Sequence, residues 1–567
     1  MGCSLLVRVL LGLGLPQVFW GLGPATAREE EPLTAVLLGE ASSLHPLARQ
    51  VAANWYLSGF LNRHLLTIAA DGSLRADLLA DLPLVNRRHL PRSSGGLAML
   101  PLHLRELARW GDGKAVTARD VIFSWQIGLT QALSADEAAL YGNISDIRAD
   151  PFDSKKCYLF LKKLSWHTLY ELSHFVVLPR HWEDERFRLY GRSKSGYRDF
   201  SLYEINPLQA GLYNGPFIVS SLQRGKQLVL ERNNYFYGPP ALSARLVVRL
   251  GVGSEELAHM LKSESIHLVF PLGLGQRERT YLQKTIARNH LPLVVTSVPS
   301  FTYELLSFNM NSKILSDWKV RKALLVGLNR DRLLQSSFAQ DVYRAESFIS
   351  PVDPLLGSKL HSYPAPSEFD LHLAEKLLDD AGWRRGKDGL RWRRGEKLRL
   401  SLLSNKEQVY RKRLARLLVE EWRRHLGIEV VFSQQEAQEF FGRTLKKPHY
   451  GDMALLAWRY QLGEVPSQRF HSSGVPAASN NFVGFNFSQW RSNRVDQLLD
   501  ALEEDGDELH RQQLMQRLVQ AYFHDIPEVP LFFRSRAALR SKELTGFQLW
   551  SHGIPESYGS EFWQLSP

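Results

Sequence analysis

Four side chains close together in the sequence, between residues 458 and 464, are of types that recognise small molecules. Trp458 offers an aromatic face, and Arg459 offers a guanidinium that can hold a carboxylate through two parallel hydrogen bonds. Gln461 adds an uncharged amide, and Glu464 adds a carboxylate. The alternatives are a core role for Trp458 and a solvated surface role for Arg459.

Patterns that mark common catalytic sites are missing from the sequence. It has no His-Glu-x-x-His pair for zinc, no Gly-x-Ser-x-Gly turn and no Gly-x-Gly-x-x-Gly opening a helix. The run from Gly111 to Ala115 lacks the spacing and the hydroxyl with which a P-loop holds phosphate and Mg²⁺. We therefore predict no metal, no cofactor and no enzyme. A hydrolase built from residues distant in sequence is the least favoured alternative.

The elements that would position these residues mix strands and helices along the chain. Alternating apolar and polar residues predict strands at 228–231 and 428–432. Apolar residues at helical spacing from Ala374 to Ala381 predict a helix that Gly382 ends. Residues Thr117 to Asp120 have the pattern of a capped helix start. This mixture favours α/β or α+β lobes.

Length and composition indicate a large globular protein. The chain has 567 residues, enough for three or four cores at about 100–200 residues each. Its net charge is +11, from 70 Lys and Arg against 59 Asp and Glu. We read the basic residues as spread along the chain and interleaved with acids, and we predict no nucleic-acid partner. After export Cys157 would be the single cysteine, on a predicted strand and without an internal disulfide.

The first 27 residues have the pattern of an export sequence. The apolar stretch from Val9 to Leu22 is too short to span a ~30 Å hydrocarbon core comfortably. The small residues Ala25 and Ala27 then precede the charged Arg28. We expect cleavage after Ala27 and a periplasmic protein. It would not be a lipoprotein, because Cys3 lies before the apolar stretch. A retained membrane anchor is the alternative.

An ordered set of segments resembles the family 5 extracellular solute-binding proteins, the periplasmic oligopeptide-, dipeptide- and nickel-binding group. The most recognisable segment is 104–125, which contains the Asp112-Gly113 turn. The resemblance extends from about Val36 to Gln548, nearly the whole mature chain. The other matching segments, in the family's order, are 214–217, 230–236, 306–311, 317–324, 329–331, 374–383, 426–430 and 450–458.

The resemblance implies an α/β fold of two lobes, the type II periplasmic-binding-protein fold, joined by interlobe crossovers. An extra subdomain would be inserted in the first lobe. Lobes linked by few crossings can close on a ligand like a hinge. The expected limits are 1–27 for the signal peptide, 28–60, 205–300 and 530–567 for the first lobe, 61–204 for the inserted subdomain and 301–529 for the second lobe.

The resemblance also implies a function, the capture of peptides for an ABC-type importer. The peptide backbone would be held by protein main chain, so that one pocket accepts many side chains. Partner permease and ATPase subunits would move the ligand, and the chain itself would be a monomer. The alternatives are a non-peptide solute such as a metal chelate, opine or oligosaccharide, and a ligand sensor without transport.

One departure from the family's pattern bears on the ligand. Peptide binders of this family commonly carry an Asp three residues after the matching tryptophan, where it pairs with the ligand's α-ammonium. Here that position is Gln461, so either the ligand has no free amino terminus there or Glu464 has taken over. For Tyr303 the alternative is a core role, and for Glu40 and Ser42 an exposed loop. The residues that the resemblance places at the cleft are Trp458, Arg459, Gln461, Glu464, Tyr303, Glu40, Ser42, Asn480, Asn481 and Phe482.

Overall fold

The structure is a computed structural model, and it describes most of the chain from residue 31 onward. The predicted export sequence with its cleavage after Ala27, and Cys3, lie outside the described residues. The elements below all belong to one unit, Pro32–Pro567. The described residues are 31–83, 96–131, 135–164, 166–192, 196–263, 265–338, 342–353, 368–504 and 507–566.

The strands of the described residues are, in chain order, β1 Leu33–Leu37, β2 Leu66–Ile68, β3 Leu74–Ala76, β4 Ala98–His103, β5 Ile144–Ala149, β6 Lys156–Leu161, β7 Phe217–Gln223, β8 Gln227–Arg232, β9 Arg245–Leu250, β10 Leu268–Val269, β11 Leu293–Phe308, β12 Val342–Arg344, β13 Arg384–Arg385, β14 Arg391–Arg393, β15 Glu396–Lys397, β16 Arg399–Asn405, β17 Glu429–Gln435, β18 Met453–Arg459, β19 Glu528–Ser541, β20 Leu544–Thr545 and β21 Gln564–Leu565.

The α-helices of the described residues are, in chain order, α1 Ala52–Leu61, α2 Ala118–Gln131, α3 Ala135–Asn143, α4 Trp166–Leu172, α5 Arg180–Tyr190, α6 Gly196–Phe200, α7 Leu202–Ile205, α8 Ser254–Lys262, α9 Gln276–Asn289, α10 Trp318–Val326, α11 Arg330–Phe338, α12 Leu371–Asp380, α13 Val409–Glu421, α14 Ala437–Glu439, α15 Ser467–Phe470, α16 Asn493–Glu504 and α17 Glu508–Asp525. A π-helical turn, Trp422–Leu426, continues α13.

One large mixed sheet organises the chain. Its order is β17-β16-β18-β11-β19-β10-β1-β9-β8-β7, with β12 paired to β19. Strand β1 is parallel to β9 and β10, and β16 is parallel to β17 and β18. The strands predicted at 228–231 and 428–432 are confirmed as β8 and β17. The predicted α/β class is likewise confirmed.

Two long antiparallel strands, β11 and β19, connect the two ends of this sheet. Their pairing shifts register between Pro299 and Tyr303, and a smaller irregularity follows between Glu304 and Leu305. Before the shift, β19 pairs with β10, which leads to β1, β9, β8 and β7, the first half-sheet. After it, β11 pairs with β18, which leads to β16 and β17, the second half-sheet. The expected lobe boundaries at 300/301 and 529/530 fall inside these two strands. They stay predictions.

The first half-sheet and the segment 61–204 share one continuous core. Leu33 and Leu246 enter it from the sheet, and Leu100 and Leu159 enter it from the smaller sheet β4-β6-β5 of the segment. All four side chains are buried. Since burial of apolar area is the main favourable term in folding, this shared core attaches the segment firmly to the first half-sheet.

The second half-sheet is covered on both faces. Alternate residues of β18 enter different clusters, Met453 and Leu455 one and Ala454 and Leu456 the other. Successive side chains of a strand point to opposite faces, so the two clusters pack on opposite sides of the sheet. Strand β18 therefore lies inside the fold until its last three residues, of which Ala457 and Trp458 are half-buried and Arg459 is exposed.

Local predictions agree with the observed elements. Helix α12 is followed by Gly382 in the left-handed conformation, with φ of 84°. The Asp120 carboxylate accepts the Thr117 backbone N–H at 2.8 Å at the start of α2. Cys157 is buried on β6, where burial raises the pKa of its thiol to about 12. Within the described residues, no helix combines the length and apolar character needed to cross a membrane.

Candidate ligand-binding site

Tyr303 and Trp458 lie opposite each other on β11 and β18, just after the register shift. Tyr303 is fully buried, and its hydroxyl donates to Glu528 at 2.7 Å. Burial raises the pKa of this hydroxyl well above its usual value. Trp458 is only half-buried. The structure therefore places Tyr303 in an internal network, whereas part of the Trp458 ring reaches the surface.

Arg469 and Glu528 form a buried ion pair next to the Trp458 ring. The Arg469 guanidinium lies 4.8 Å from the Trp458 ring centre and also bonds to the Tyr303 hydroxyl. The Tyr522 hydroxyl donates to Glu528 at 3.1 Å. Burial alone would lower the pKa of Arg469, but Glu528 and Tyr303 raise it above its ordinary value. Glu528 and the Tyr303 hydroxyl thus fix the guanidinium that lies over the indole.

Neither member of this ion pair is identifiable from sequence motifs. Arg469 and Glu528 are 59 residues apart, and no spacing rule connects them. One indication was available, because Glu528 stands directly before the apolar run Val529 to Phe533. A carboxylate at the start of a buried strand needs a partner, and this requirement predicts a cation nearby without naming it.

An aromatic surface continues from Trp458 onto a neighbouring loop. The Phe485 ring lies 5.4 Å from the Trp458 ring, edge to face. Phe482, Val483 and Phe485 are 45%, 65% and 41% exposed. Asn481 and Phe482 have positive φ angles of 54° and 56°, a conformation that is uncommon for a bulky side chain and recurs at binding sites. We call Trp458, Phe482, Val483 and Phe485 the aromatic surface.

The cavity beside this surface is too small for a solute. It has a volume of about 10 Å³ and is lined by Trp458, Phe485 and Arg469 among others. A space of this size holds at most about one water molecule. A ligand would therefore meet the aromatic surface from its exposed side.

Asn480 shapes the loop from within. Its side-chain oxygen accepts the Ala477 N–H at 2.9 Å, and its amide donates to the carbonyls of Ser473 and Val475 at 2.9 and 2.8 Å. Asparagine side chains commonly stabilise such turns. Asn480 thus fixes the turn, and Asn481 and Phe482 project from it.

Gln461 and Glu464 share a turn just after β18. The Gln461 N–H donates to the Glu464 carboxylate at 2.8 Å, and the Glu464 N–H donates to the Gln461 carbonyl at 3.1 Å. The Gln461 side chain is exposed. Glu464 also lines a cavity of about 240 Å³ between this turn and the segment 61–204, where Lys163 and Glu503 lie 3.6 Å apart. The Glu464 carboxylate is therefore committed to the turn, although it has further acceptor sites.

Arg459 is exposed at the end of β18, next to two other parts of the chain. Its guanidinium lies so close to Gly553 that a Cβ there would collide with Nη2. Burial, then the Arg49 cation and, more weakly, Arg459, lower the pKa of His174 to about 3. The two cations Arg49 and Arg459 therefore both lie near His174. Such a position suits an anionic group, which a guanidinium binds through paired hydrogen bonds.

Glu40 and Ser42 lie on the exposed loop after β1. The Ser42 N–H donates to the Asn54 side chain at 2.9 Å, and the Asn54 amide lies 3.3 Å from the Ser42 hydroxyl. Helix α1 thus holds this loop through Asn54. Among the described residues, no hydrogen bond or ion pair joins Glu40 or Ser42 to Tyr303 or Trp458.

A potential metal-ligand set lies elsewhere, on the segment 61–204. His103, Glu106 and Asp153 offer ligand atoms within 4.8 Å of one another. The Lys156 ammonium lies 3.1 Å from Asp153. It supplies a positive charge that would oppose a bound cation. The arrangement is therefore a poor match to a dedicated metal site.

The fold and the site together define a class of protein. Two half-sheets connected by two crossover strands, with aromatic and charged side chains beside the crossovers, are the features of two-lobed solute-binding proteins. The chain belongs to the bacterial extracellular solute-binding proteins, family 5, whose middle-region profile matches residues 100–474.

Known relatives cover most of the chain at low identity. The chain is 26% identical to the periplasmic oligopeptide-binding protein OppA of Salmonella typhimurium, over 78% of both chains. It is 23% identical to the oligopeptide-binding protein AppA of Bacillus subtilis, over 83% of this chain and 81% of that one. The structure of NikZ from Campylobacter jejuni, solved with Ni(L-His), matches with a TM-score of 0.63 at 20% identity, over 94% of this chain and 99% of that one. These matches confirm the predicted two-lobed fold.

Proposed function

We propose that the protein captures a peptide between its two lobes and delivers it to an ABC-type importer. The observation that carries the proposal is the match, over more than three quarters of each chain, with relatives named for oligopeptide binding. The aromatic surface supports it, because aromatic faces contact many kinds of side chain without selecting one. In this proposal the chain is a monomeric, non-enzymatic binder. The permease and the ATP-hydrolysing subunits are separate partners.

The proposed lobes follow the limits expected from the sequence. The first lobe comprises 28–60, 205–300 and 530–567, with 61–204 inserted, and the second comprises 301–529. The register shift of the crossover strands supports a hinge near residues 300–302, where the β11–β19 ladder is interrupted. Beyond it, Arg534 donates to Glu304 at 3.0 Å, and Arg411 also pairs with Glu304. These ion pairs keep that end of the crossover attached to the second half-sheet, so bending concentrates at the interruption.

Closure of this hinge has two measurable consequences. Adding a peptide that binds should reduce the radius of gyration in solution scattering and raise the melting temperature. At one hundred times the dissociation constant, linkage adds about 2.7 kcal/mol to the free energy of unfolding. A peptide shown by calorimetry to bind, yet leaving both quantities unchanged, would contradict hinge closure.

A second candidate ligand is an anionic solute without a free amino terminus. Gln461 provides no counter-charge for an ammonium, and the exposed Arg459 favours a carboxylate. A metal chelate, an opine or an acidic oligosaccharide would have this chemistry. Native mass spectrometry of gently purified protein separates the candidates, because a retained solute appears as added mass. Peptide masses support the first proposal, and a single non-peptide mass supports the second.

Sensing without transport is distinguished by uptake. In cells that need an external peptide for growth, deletion of the gene should abolish growth on the peptide if the protein serves an importer. Growth that persists, together with binding of the peptide by the purified protein, would favour a sensor. A hydrolase would instead convert ester or peptide substrates during incubation with the purified protein.

Export is part of the proposal and has its own test. We expect the mature protein to begin at Arg28 and to be found outside the cytoplasm, because small residues at Ala25 and Ala27 follow the apolar stretch. Amino-terminal sequencing of the protein from the cell envelope checks this. Recovery of Met1 in a membrane fraction would contradict it.

A further inference from the structure

The net positive charge of this protein is concentrated in one short segment. Residues 381–426 contain fifteen Lys and Arg against five Asp and Glu, a net charge of +10 out of +11 for the whole chain. The sequence-based expectation of evenly spread charge is therefore wrong for this segment. Most of these cations are exposed. The exposed ones, which we call the basic face, are Arg384, Arg385, Lys387, Arg394, Lys397, Arg399, Lys406, Lys412, Arg413, Arg416, Arg423 and Arg424.

The basic face is a continuous part of the fold. It is formed by the small sheet β13-β14-β15, by α13 with its π-helical turn, and by the two ends of β16. The Arg385 guanidinium donates to the His425 carbonyl at 2.7 Å, and the Arg391 backbone N–H donates to Gly427 at 2.9 Å. The buried Arg391 side chain also bonds to the Leu426 carbonyl at 2.9 Å. These bonds attach the small sheet to the carboxy-terminal end of the helix, so that the cations of the sheet lie beside those of the π-helical turn.

This face lies away from the candidate ligand site. Strand β17 ends the sheet on this side, three strand spacings or about 14 Å from β11. Strand β16 pairs with β18 only at Met453–Leu455, and Trp458 lies at the far end of β18. Substitutions on the basic face therefore leave the aromatic surface intact.

Local acids neutralise only part of the charge. Arg424 pairs with Glu420 at 2.8 Å and Lys406 with Glu436 at 2.8 Å, and both pairs are exposed. Of the exposed cations, several form no ion pair with any described carboxylate. They are Lys387, Arg394, Lys412, Arg413, Arg416 and Arg423.

The chemistry of the surface identifies a partner. Centres of protein interfaces are rich in aromatic residues and poor in lysine. In residues 381–426, all of which are described, Val409 is the one large apolar side chain that is exposed. Lys397 and Arg393 lie over the rings of Trp392 and Trp383, which are not exposed. Many dispersed cations without an apolar anchor suit a plane of negative headgroups, where shape complementarity is not required.

We propose that the basic face binds the surface of an anionic phospholipid membrane and so holds the protein, second half-sheet first, against the bilayer. Each basic residue near such a surface contributes about fivefold to the partition coefficient, and salt weakens the attraction. The proposal is independent of the ligand, since it concerns a different surface. It gives the +10 charge of residues 381–426 a role that folding does not require.

Vesicle sedimentation tests this with the exported protein as purified. The probes are vesicles of phosphatidylcholine alone and of phosphatidylcholine with an equal part of phosphatidylglycerol. One variant reverses four cations of the basic face, Lys387→Glu, Arg394→Glu, Lys412→Glu and Arg416→Glu. A matched control reverses four exposed cations of α8 and α9, Lys262→Glu, Arg277→Glu, Lys284→Glu and Arg288→Glu. Both have the same net charge.

We expect the wild type to sediment with the anionic vesicles at low salt and to be released as salt rises. The basic-face variant should bind the anionic vesicles about a hundredfold or more weakly than the wild type does. The affinity of the control variant for these vesicles should fall much less. Equal melting temperatures confirm that the variants fold. The proposal is overturned if the wild type does not bind anionic vesicles or binds both vesicle types alike. It is overturned as well if the affinity for anionic vesicles falls equally in the two variants. It is also overturned if soluble polyphosphate is bound as tightly as the vesicles.

Discussion

An Arg469→Met variant is expected to unfold with a free energy about 3–5 kcal/mol below that of the wild type, because it leaves Glu528 buried without a counter-charge. Both side chains are almost fully buried, at 6% and 2% exposure. Methionine keeps much of the arginine's aliphatic length, so loss of packing contributes little. Urea unfolding followed by tryptophan fluorescence measures the difference. A second substitution, Glu528→Gln, removes the stranded charge and should recover part of the loss.

An exposed ion pair provides the control. Arg424 and Glu420 lie 2.8 Å apart with more than half of each side chain exposed. Arg424→Met is therefore expected to cost less than about 1 kcal/mol. Equal losses in the Arg469 and Arg424 variants would show that burial does not distinguish the two pairs. That result would contradict the buried network that Arg469 and Glu528 form beside Trp458.

The sequence predicts those parts of the fold that are determined locally. Gly382 ends α12 because a residue without Cβ adopts positive φ at little cost, and this holds whatever the helix packs against. Strand β18, which contains Trp458, follows from its run of apolar residues. The crossover strands do not follow in this way. Only the pairing of β11 with β19, across more than two hundred residues, shows that one strand serves both half-sheets.

The same distinction between local and long-range determination applies to the candidate site. Trp458, Arg459, Gln461 and Glu464 are adjacent in sequence, so their proximity could be predicted, although their orientation could not. Glu464 accepts a bond from the Gln461 backbone, a use of its carboxylate that sequence spacing did not suggest. Their roles in ligand binding stay predictions.

Charge shows a different limit of sequence reading. The density of cations between 381 and 426 is visible in the sequence, yet short basic runs beside apolar helical positions look like ordinary solvated faces. The three-dimensional contacts of Arg385 and Arg391 bring those runs onto one surface. A count over a window of the chain would have detected the excess, but only the fold shows that it is continuous.

A Gln461→Asp variant is expected to bind free tri-alanine at least about tenfold more tightly than the wild type does, while its affinity for N-acetylated tri-alanine stays unchanged. The carboxylate restores a counter-charge for the α-ammonium, and a hydrogen bond to a charged group contributes about 1.5–3 kcal/mol, where 1.4 kcal/mol is tenfold. In the wild type we expect the two peptides to bind alike. Titration calorimetry on both proteins with both peptides measures the four affinities.

Two further variants make this result specific. Gln223→Asp adds the same charge at the exposed last residue of β7, at the opposite end of the sheet, and should change neither affinity. Glu464→Gln should also have little effect, because an amide oxygen can accept the Gln461 N–H in place of the carboxylate.

Other outcomes identify a different counter-charge or ligand. If acetylation weakens wild-type binding strongly, and Glu464→Gln lowers the binding free energy by the same amount without adding to the effect of acetylation, then Glu464 is the counter-charge. If acetylation abolishes binding while Glu464→Gln does nothing, a different group holds the ammonium. If none of these proteins binds either peptide, tri-alanine is not a ligand, and the exposed guanidinium of Arg459 makes an anionic solute the ligand class to test next.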